Sequence, residues 1–65
     1  MKVKYFQDTD TLYIEFRAGN IAGTLDLDAN TAVDFDADDH ICATTMEHAK
    51  DRTDVPRFTF EEVAA

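Results

Sequence analysis

The stretch Thr11-Leu12-Tyr13-Ile14-Glu15-Phe16-Arg17 decides the fold, because apolar and polar side chains alternate through it without a break. Such period-two alternation is typical of a β-strand with one buried and one open face. The apolar residues Leu12, Ile14 and Phe16 are then expected to face the interior. Upstream, residues 2–6 alternate too, and the four residues 7–10 that separate the two segments are rich in turn formers. The two segments therefore predict a β-hairpin.

The same alternation recurs downstream in residues 21–27, 31–36 and 40–46, each bounded by turn-forming residues. Gly23, inside the first of these segments, predicts a β-bulge or a close backbone approach. Turns recur about every ten residues, which is the spacing expected of a β-meander. The sequence therefore predicts a mainly β fold, an antiparallel β-meander of about five strands over residues 2–46.

The pattern changes after the fifth predicted strand. Residues 46–51 lose the alternation and fit one helical turn, which puts the fold at the margin of the α+β class. Further on, Phe58 and Phe60 alternate with polar neighbours like a short strand, whereas residues 59–62 fit a capping box at the start of a helix. Of the two interpretations, we expect the helical turn, with Phe60 and Val63 docked on the sheet.

The length of 65 residues predicts a single small domain over residues 1–65, with a short helical or extended segment from about residue 47 onward. A chain of that size buries only about 60% of the surface that its unfolded form exposes. A core this small gains much stability from a partner, so we expect a homodimer. The single cysteine excludes an internal disulfide that could compensate for the small core.

The charge is strongly acidic, with fourteen Asp and Glu against six Lys and Arg for a net charge of −8. Binding to nucleic acid requires that phosphates be neutralised, so no direct nucleic-acid contact is expected. The same charge argues against anionic membrane surfaces, and no apolar run is long enough to span a bilayer. It favours a basic protein partner, a cation or simple solubility, and the richness in Asp over Lys is also typical of a salt-rich habitat. No apolar stretch of a signal peptide follows Met1, so we expect a cytoplasmic protein.

Two blocks of the sequence resemble a known family. The first block runs from Tyr5 through Asp8 and Asp10 to Leu12-Tyr13-Ile14-Glu15-Phe16, and the second is Val33-Asp34-Phe35-Asp36-Ala37-Asp38-Asp39-His40-Ile41. Both are similar to the hairpins of short prokaryotic proteins catalogued as domain of unknown function 2283, over roughly residues 1–50. The resemblance supports the β fold and implies no activity, because the family has no agreed one.

The chain departs from that family at several positions. Phe6 replaces a usual Asp, and Asp39 stands where a turn glycine is common. Ala43 and Thr45 replace a typical Gly and Glu. If Asp39 adopts a left-handed conformation, it does so at a higher cost than glycine but a lower cost than a branched residue.

The acidic run of the second block is a weak candidate metal site, with Asp34, Asp36 and Asp38 as possible ligands. Its alternating aspartates resemble the start of a calcium loop, which needs Gly at its sixth position and a bidentate Glu at its twelfth. Asp39 and Thr45 stand there instead. The structural interpretation, which we favour, is two solvent-facing strand positions followed by an acidic hairpin turn.

Other chemical constellations are weaker still. His40, Cys42 and His48 lack the paired spacing of zinc ligands, and no glycine-rich turn accompanies the thiol as it would a nucleophile. Cys42 is therefore expected to be a small core residue. Asp8 and Asp10 lie in a polar turn, where they are expected to cap backbone amides rather than to act as acid and base. We expect no enzyme activity and no cofactor.

The aromatic residues Phe6, Tyr13, Phe58 and Phe60 are candidate interface residues. Phe6 and Tyr13 fall on the face of the hairpin opposite Leu12, so an apolar surface remains on both sides of the sheet. The sequence thus predicts a small non-catalytic acidic interaction module, an antitoxin-like neutraliser of a basic partner being one form of it. The alternative is a domain that binds a small ligand or a divalent metal at the second hairpin.

Overall fold

The computed structural model describes residues 1–64 as one antiparallel sheet of five strands followed by a single helical turn. Its elements are β1 (Lys2–Phe6), β2 (Thr11–Glu15), β3 (Gly23–Asp28), β4 (Thr31–Phe35), β5 (Ile41–Glu47) and α1 (Ala49–Arg52). The mainly β, five-stranded antiparallel class predicted from the alternation is confirmed. The helical turn predicted in residues 46–51 is present, although β5 continues through Glu47 before α1 begins.

The strands follow one another across the sheet in the order β1-β2-β5-β4-β3. This order differs from a simple meander because β3 does not pair with β2. Residues 16–22 instead carry the chain past the start of β5 and the end of β4. Gly19 lies close to Cys42, since a Cβ on Gly19 would be 3.7 Å from the Cys42 sulfur. β5 takes the centre because its small residues Cys42 and Ala43 are buried on both faces, each 1% exposed. β3, exposed along its whole length, takes the edge.

One face of the sheet is apolar across its full width. Its central row pairs Val3 of β1 with Ile14, then Thr44, then Val33, and ends at Leu25 of β3. The next row adds Tyr5, Leu12, Met46 and Thr31. We call these nine side chains the inner face.

The opposite face is polar and charged, and we call it the outer face. Its two rows run Lys4–Tyr13–Thr45–Ala32–Asp26 and Lys2–Glu15–Ala43–Asp34–Thr24. Each row begins with a lysine at the β1 edge and becomes neutral or acidic towards β3. Phe6 also belongs to this face, since it is paired with Thr11 two residues before Tyr13.

The segment after α1, residues 53–64, has no regular helix or strand and is called the C-terminal arm. It lies over β1 and β2, where residues 53–58 and four inner-face residues of these strands enclose a cleft of about 280 Å³. The predicted terminal helix is therefore wrong over the described residues. Phe60 and Val63, expected to dock on the sheet, are 72% and 78% exposed, so neither is buried against it.

The sheet has two irregularities, and neither is a β-bulge at Gly23. No atom lies within 4 Å of the position that a Cβ on Gly23 would occupy, and Gly23 pairs regularly with Phe35. The register shifts occur between Asp26 and Asp28 of β3 and beside Phe35 of β4. A bulge needs one extra residue on one strand, and any residue with an ordinary negative φ can supply it.

Candidate functional site

The turn between β4 and β5 is organised by a single carboxylate. One oxygen of Asp36, Oδ1, accepts hydrogen bonds from the backbone amides of Asp38 and His40, both at 2.9 Å. The other oxygen lies 3.0 Å from Nδ1 of the His40 ring. The amide of His40, followed by the other donors, lowers the pKa of Asp36 below its ordinary value. These contacts keep Asp36 ionised and fix the shape of the turn.

Asp39 completes this turn in the left-handed conformation, with φ of 64°. The resemblance to the family places Asp39 where a turn glycine is common. The structure confirms that this backbone conformation costs glycine less than it costs aspartate. Its amide donates to the backbone oxygen of Asp36 at 3.2 Å. Asp39 therefore carries a conformational cost that the hydrogen bonds of Asp36 help to offset.

Of the metal candidates Asp34, Asp36 and Asp38, the structure brings only the last two together. The third group near them is His40, and one potential ligand atom of each of the three residues lies within 4.8 Å of the others. Asp34 is on the outer face, where it accepts a hydrogen bond of 2.7 Å from the Thr24 hydroxyl. Both oxygens of Asp36 are already engaged by the turn, so a metal would compete with the contacts that shape it.

The structure separates the residues of the other constellation, His40, Cys42 and His48. Cys42 is 1% exposed beneath Gly19, as expected of a core residue. His48 lies beyond β5 with a left-handed φ of 56°, immediately before α1. Among residues 1–64, the three do not form a cluster able to hold a metal.

A second carboxylate, Asp10, forms the most connected polar cluster. Its Oδ1 accepts the hydroxyl of Tyr5 at 2.6 Å and the backbone amide of Lys50 at 3.0 Å, and its backbone oxygen accepts the amide of Ala49 at 3.0 Å. Asp10 thus caps the start of α1 from the β1–β2 turn. The prediction that its side chain caps an amide of its own turn is wrong, because the amide that it accepts is that of Lys50, forty residues away.

The hydrogen bond between Tyr5 and Asp10 shifts both groups in opposite directions. It raises the pKa of Tyr5 to about 12 and lowers the pKa of Asp10. The neutral phenol and the charged carboxylate are each favoured, because the bond requires one proton and one acceptor. Sequence reasoning missed this pair. The sequence feature that could have indicated this pair is the predicted hairpin. Its closing pair, Phe6–Thr11, puts Tyr5 and Asp10 on the two sides of the turn.

A third carboxylate, Asp28, links β3 to the end of α1. The amide of Asn30, followed by other donors, lowers the pKa of Asp28. One oxygen also accepts a hydrogen bond of 2.9 Å from the guanidinium of Arg52, the last residue of α1. The helix is therefore held at both ends, by Asp10 and by Asp28.

The four candidate interface aromatics divide between two surfaces. Phe58 and Phe60 lie on the arm, 61% and 72% exposed, beside Val3 at the β1 edge of the inner face. Phe6, 50% exposed, and the half-buried Tyr13 lie on the outer face among charged residues. The large exposed apolar side chains of the arm thus continue the inner face, and Phe6 is separate from it.

Comparison with known proteins identifies a family and nothing more specific. Within the part of the chain described, no helix is long and apolar enough to cross a membrane. No curated protein and no solved structure matches the chain. The family model described as "Protein of unknown function (DUF2283)" matches residues 2–50, which include all five strands and the start of α1. The chain therefore belongs to the DUF2283 family.

Proposed function

We propose that this protein is a small non-catalytic interaction module that presents an acidic surface to a basic protein, as an antitoxin does when it masks a basic toxin. The observation that carries the proposal is the placement of the acidic groups. Glu15, Asp26 and Asp34 project from the outer face, and the acidic β4–β5 turn extends the same negative surface. The only strand lysines, Lys2 and Lys4, lie together on the edge strand β1, where Lys2 is paired with Glu15, whereas Asp26 and Asp34 lie on β3 and β4.

The state of the carboxylates supports a binding role over a catalytic one. Asp10, Asp28 and Asp36 all have lowered pKa values because of hydrogen bonds that hold turns and α1 in place. A general acid needs a raised pKa near the working pH. The buried thiol of Cys42 is likewise out of reach of a substrate.

Purification of the tagged protein from its native host, at low and at high ionic strength, tests this function. We expect a basic protein to be retained at low salt and released as salt screens the contact. Replacement of Glu15, Asp26 and Asp34 by their amides should reduce its retention. The matched control replaces Lys2 and Lys4 by glutamine on the same face, and it should not reduce retention. Equal retention by the amide variant, or no basic protein at either salt concentration, contradicts the proposal.

A second candidate function is binding of a divalent metal or small ligand at the β4–β5 turn. The convergence of Asp36, Asp38 and His40 within 4.8 Å favours it, and the engagement of both Asp36 oxygens in the turn disfavours it. Titration with calcium and with zinc, followed by NMR, separates these possibilities. Shifts confined to these three residues would support the site, whereas unchanged spectra at millimolar metal would eliminate it.

A further inference from the structure

The inner face is left uncovered along β3. The C-terminal arm lies over β1 and β2, and its residues 53–58 face four inner-face residues of these strands across the cleft. Val33 and Thr31 of β4 are each 8% exposed, whereas Leu25 on β3 is 53% exposed. The face therefore has a raised part, formed by the arm, and an open strip along β3.

The chain is too small to complete this layer by itself. Its buried apolar residues are Val33, Cys42, Ala43 and Ala49, all of them small or medium in size. The large apolar side chains that are left exposed among the described residues are Met1, Val3, Phe6, Phe16, Ile21, Leu25, Leu27, Ile41, Phe58, Phe60 and Val63. A sheet is stable when its apolar face packs against a second layer, and the molecule is only 17 Å thick along its shortest axis.

The charges leave the inner face free for contact between like molecules. Two copies that each carry a charge of −8 repel one another, so they meet most easily where acidic groups are fewest. The nine inner-face side chains are uncharged, and the acidic groups on this side are Asp28, which ends the second row opposite Thr31, and Asp54, Glu61 and Glu62 of the arm. Asp28, at the end of β3, is neutralised by Arg52 at 2.9 Å.

The size of the inner side is that of a stable interface. The broad side of the molecule measures 36 by 31 Å, an outline of about 900 Å². A standard protein–protein interface buries about 800 Å² on each partner. A contact that uses most of this side therefore reaches the required area without contributions from the outer face.

The sheet edges are less suited to self-association. Pairing of β1 with β1 of another copy brings the lysines Lys2 and Lys4 of the two chains together. Pairing of β3 with β3 brings Asp26 and Asp28 together, next to the bulge that distorts the strand. Like charges on edge strands oppose such pairing.

We propose that a second copy of this chain packs on the inner face, about a two-fold axis that runs along β5. β5 is the central strand, so this axis exchanges the β1–β2 half of one copy with the β4–β3 half of the other. The arm of each copy then covers the open strip along β3 of its partner, and Phe58 and Phe60 contact Leu25 across the interface. An axis perpendicular to the strands would stack arm on arm and leave both open strips uncovered.

This contact does not depend on the proposed binding of a basic protein. The outer face stays exposed in the dimer, and a monomer would present the same acidic side chains. Loss of dimerisation with the basic partner retained, or the reverse, would therefore separate the two proposals.

Sedimentation velocity over a wide concentration range tests the dimer. We expect a concentration-dependent dimer, weakened about tenfold or more in Kd by Leu25→Ser and by Phe60→Ser. The matched control is Phe6→Ser, which removes a phenylalanine of similar exposure from the outer face and should leave Kd unchanged. Circular dichroism checks that each variant is folded. A monomer at all concentrations, or a dimer sensitive only to Phe6→Ser, overturns the proposal.

Disulfide trapping in chains that also carry Cys42→Ala tests the orientation. One chain carries Leu25→Cys and the other Phe60→Cys, and any bond between the two different chains is intermolecular. We expect the mixed disulfide to form faster than the Leu25→Cys pair or the Phe60→Cys pair. Faster formation of either like pair would overturn the axis along β5.

Discussion

The two hairpin turns built on Asp10 and Asp36 use the same side chain for different purposes. Asp36 bonds only within its own turn, to the amides of Asp38 and His40 and to the His40 ring. Asp10 bonds to Tyr5 across its hairpin and to Lys50 forty residues later in the chain. Both carboxylates have a lowered pKa. A lowered pKa thus reports that a carboxylate is well bonded, and it does not distinguish a local turn from a long-range anchor.

The largest effect is expected from Asp10→Ala. The substitution removes the acceptor of the Tyr5 hydroxyl and of the Lys50 amide together, so α1 loses its attachment and the arm loses its position over β1 and β2. We expect thermal unfolding to shift downward by about 5 °C or more. Hydrogen exchange should show faster exchange throughout residues 49–58, not only near residue 10. Exchange limited to the β1–β2 turn would mean that Asp10 acts locally, like Asp36.

The next effect concerns stability at high pH and depends on Tyr5. Its pKa is raised to about 12, so the neutral phenol is favoured in the folded state. The resulting stability is complete below an ordinary tyrosine pKa of about 10 and is lost as the pH rises towards 12. Urea unfolding should therefore show a steeper loss between about pH 10 and 12 in the wild type than in Tyr5→Phe. Tyr13→Phe is the matched control, and it should keep the wild-type slope.

At low pH the protein should lose the stability that three hydrogen-bonded carboxylates provide. The pKa values of Asp10, Asp28 and Asp36 are lowered, so their contribution is complete above an ordinary aspartate pKa of about 4 and is lost as the pH falls through the folded-state values. Asp10→Asn should flatten this acid dependence more than Asp34→Asn. If both variants retain the full dependence of the wild type, Asp10 is not among the groups responsible.

A smaller and local effect is expected from Asp36→Ala. Two amides and the His40 ring lose their acceptor, but no segment outside the turn depends on this carboxylate. NMR chemical-shift changes should be confined to about residues 34–42, and exchange in α1 should be unchanged. Faster exchange in α1 would show that the two turns are coupled.

The smallest effect is a gain in stability from Asp39→Gly. Asp39 has φ of 64°, a conformation that glycine adopts without steric cost. Part of this gain is offset by the greater freedom of glycine in the unfolded chain, so we expect roughly 0.5 kcal/mol of added stability in urea unfolding. Ala37→Gly, in the same turn and without a positive φ, is the control and should not stabilise the protein. A destabilised Asp39→Gly would show that the aspartate side chain makes a contact that outweighs its backbone cost.

The five strands were predictable from the alternation of side chains, because each inner-face residue from Val3 to Met46 recurs at period two. Their order was not predictable in the same way. Alternation says which side a residue faces and not which strand lies beside it, and the adjacency of β2 and β5 joins residues about thirty positions apart. The small residues Cys42 and Ala43 were the available sign that β5 is central, since a strand buried on both faces needs small or apolar side chains on both.

The same difference between local and long-range contacts separates the candidate sites. The acidic turn around Asp36 was predictable because all its contacts lie within five residues, and the αL backbone at Asp39 followed from the missing glycine. The anchoring of α1 by Asp10 depends on where the chain returns after β5, which no local pattern encodes. The terminal helix was predicted wrongly for a related reason. The capping box at Thr59 is a local signal, and a short helix that lacks tertiary packing is only marginally stable.

The central position of β5 has a consequence for the order in which the chain folds. The β1–β2 and β3–β4 hairpins precede it in the sequence, and neither pairs with the other in the finished sheet. The two halves are therefore joined only when residues 41–47 enter between them, and the same step closes the core over Cys42 and brings α1 to Asp10. A chain truncated before residue 41 would keep two hairpin sequences with no strand to join them.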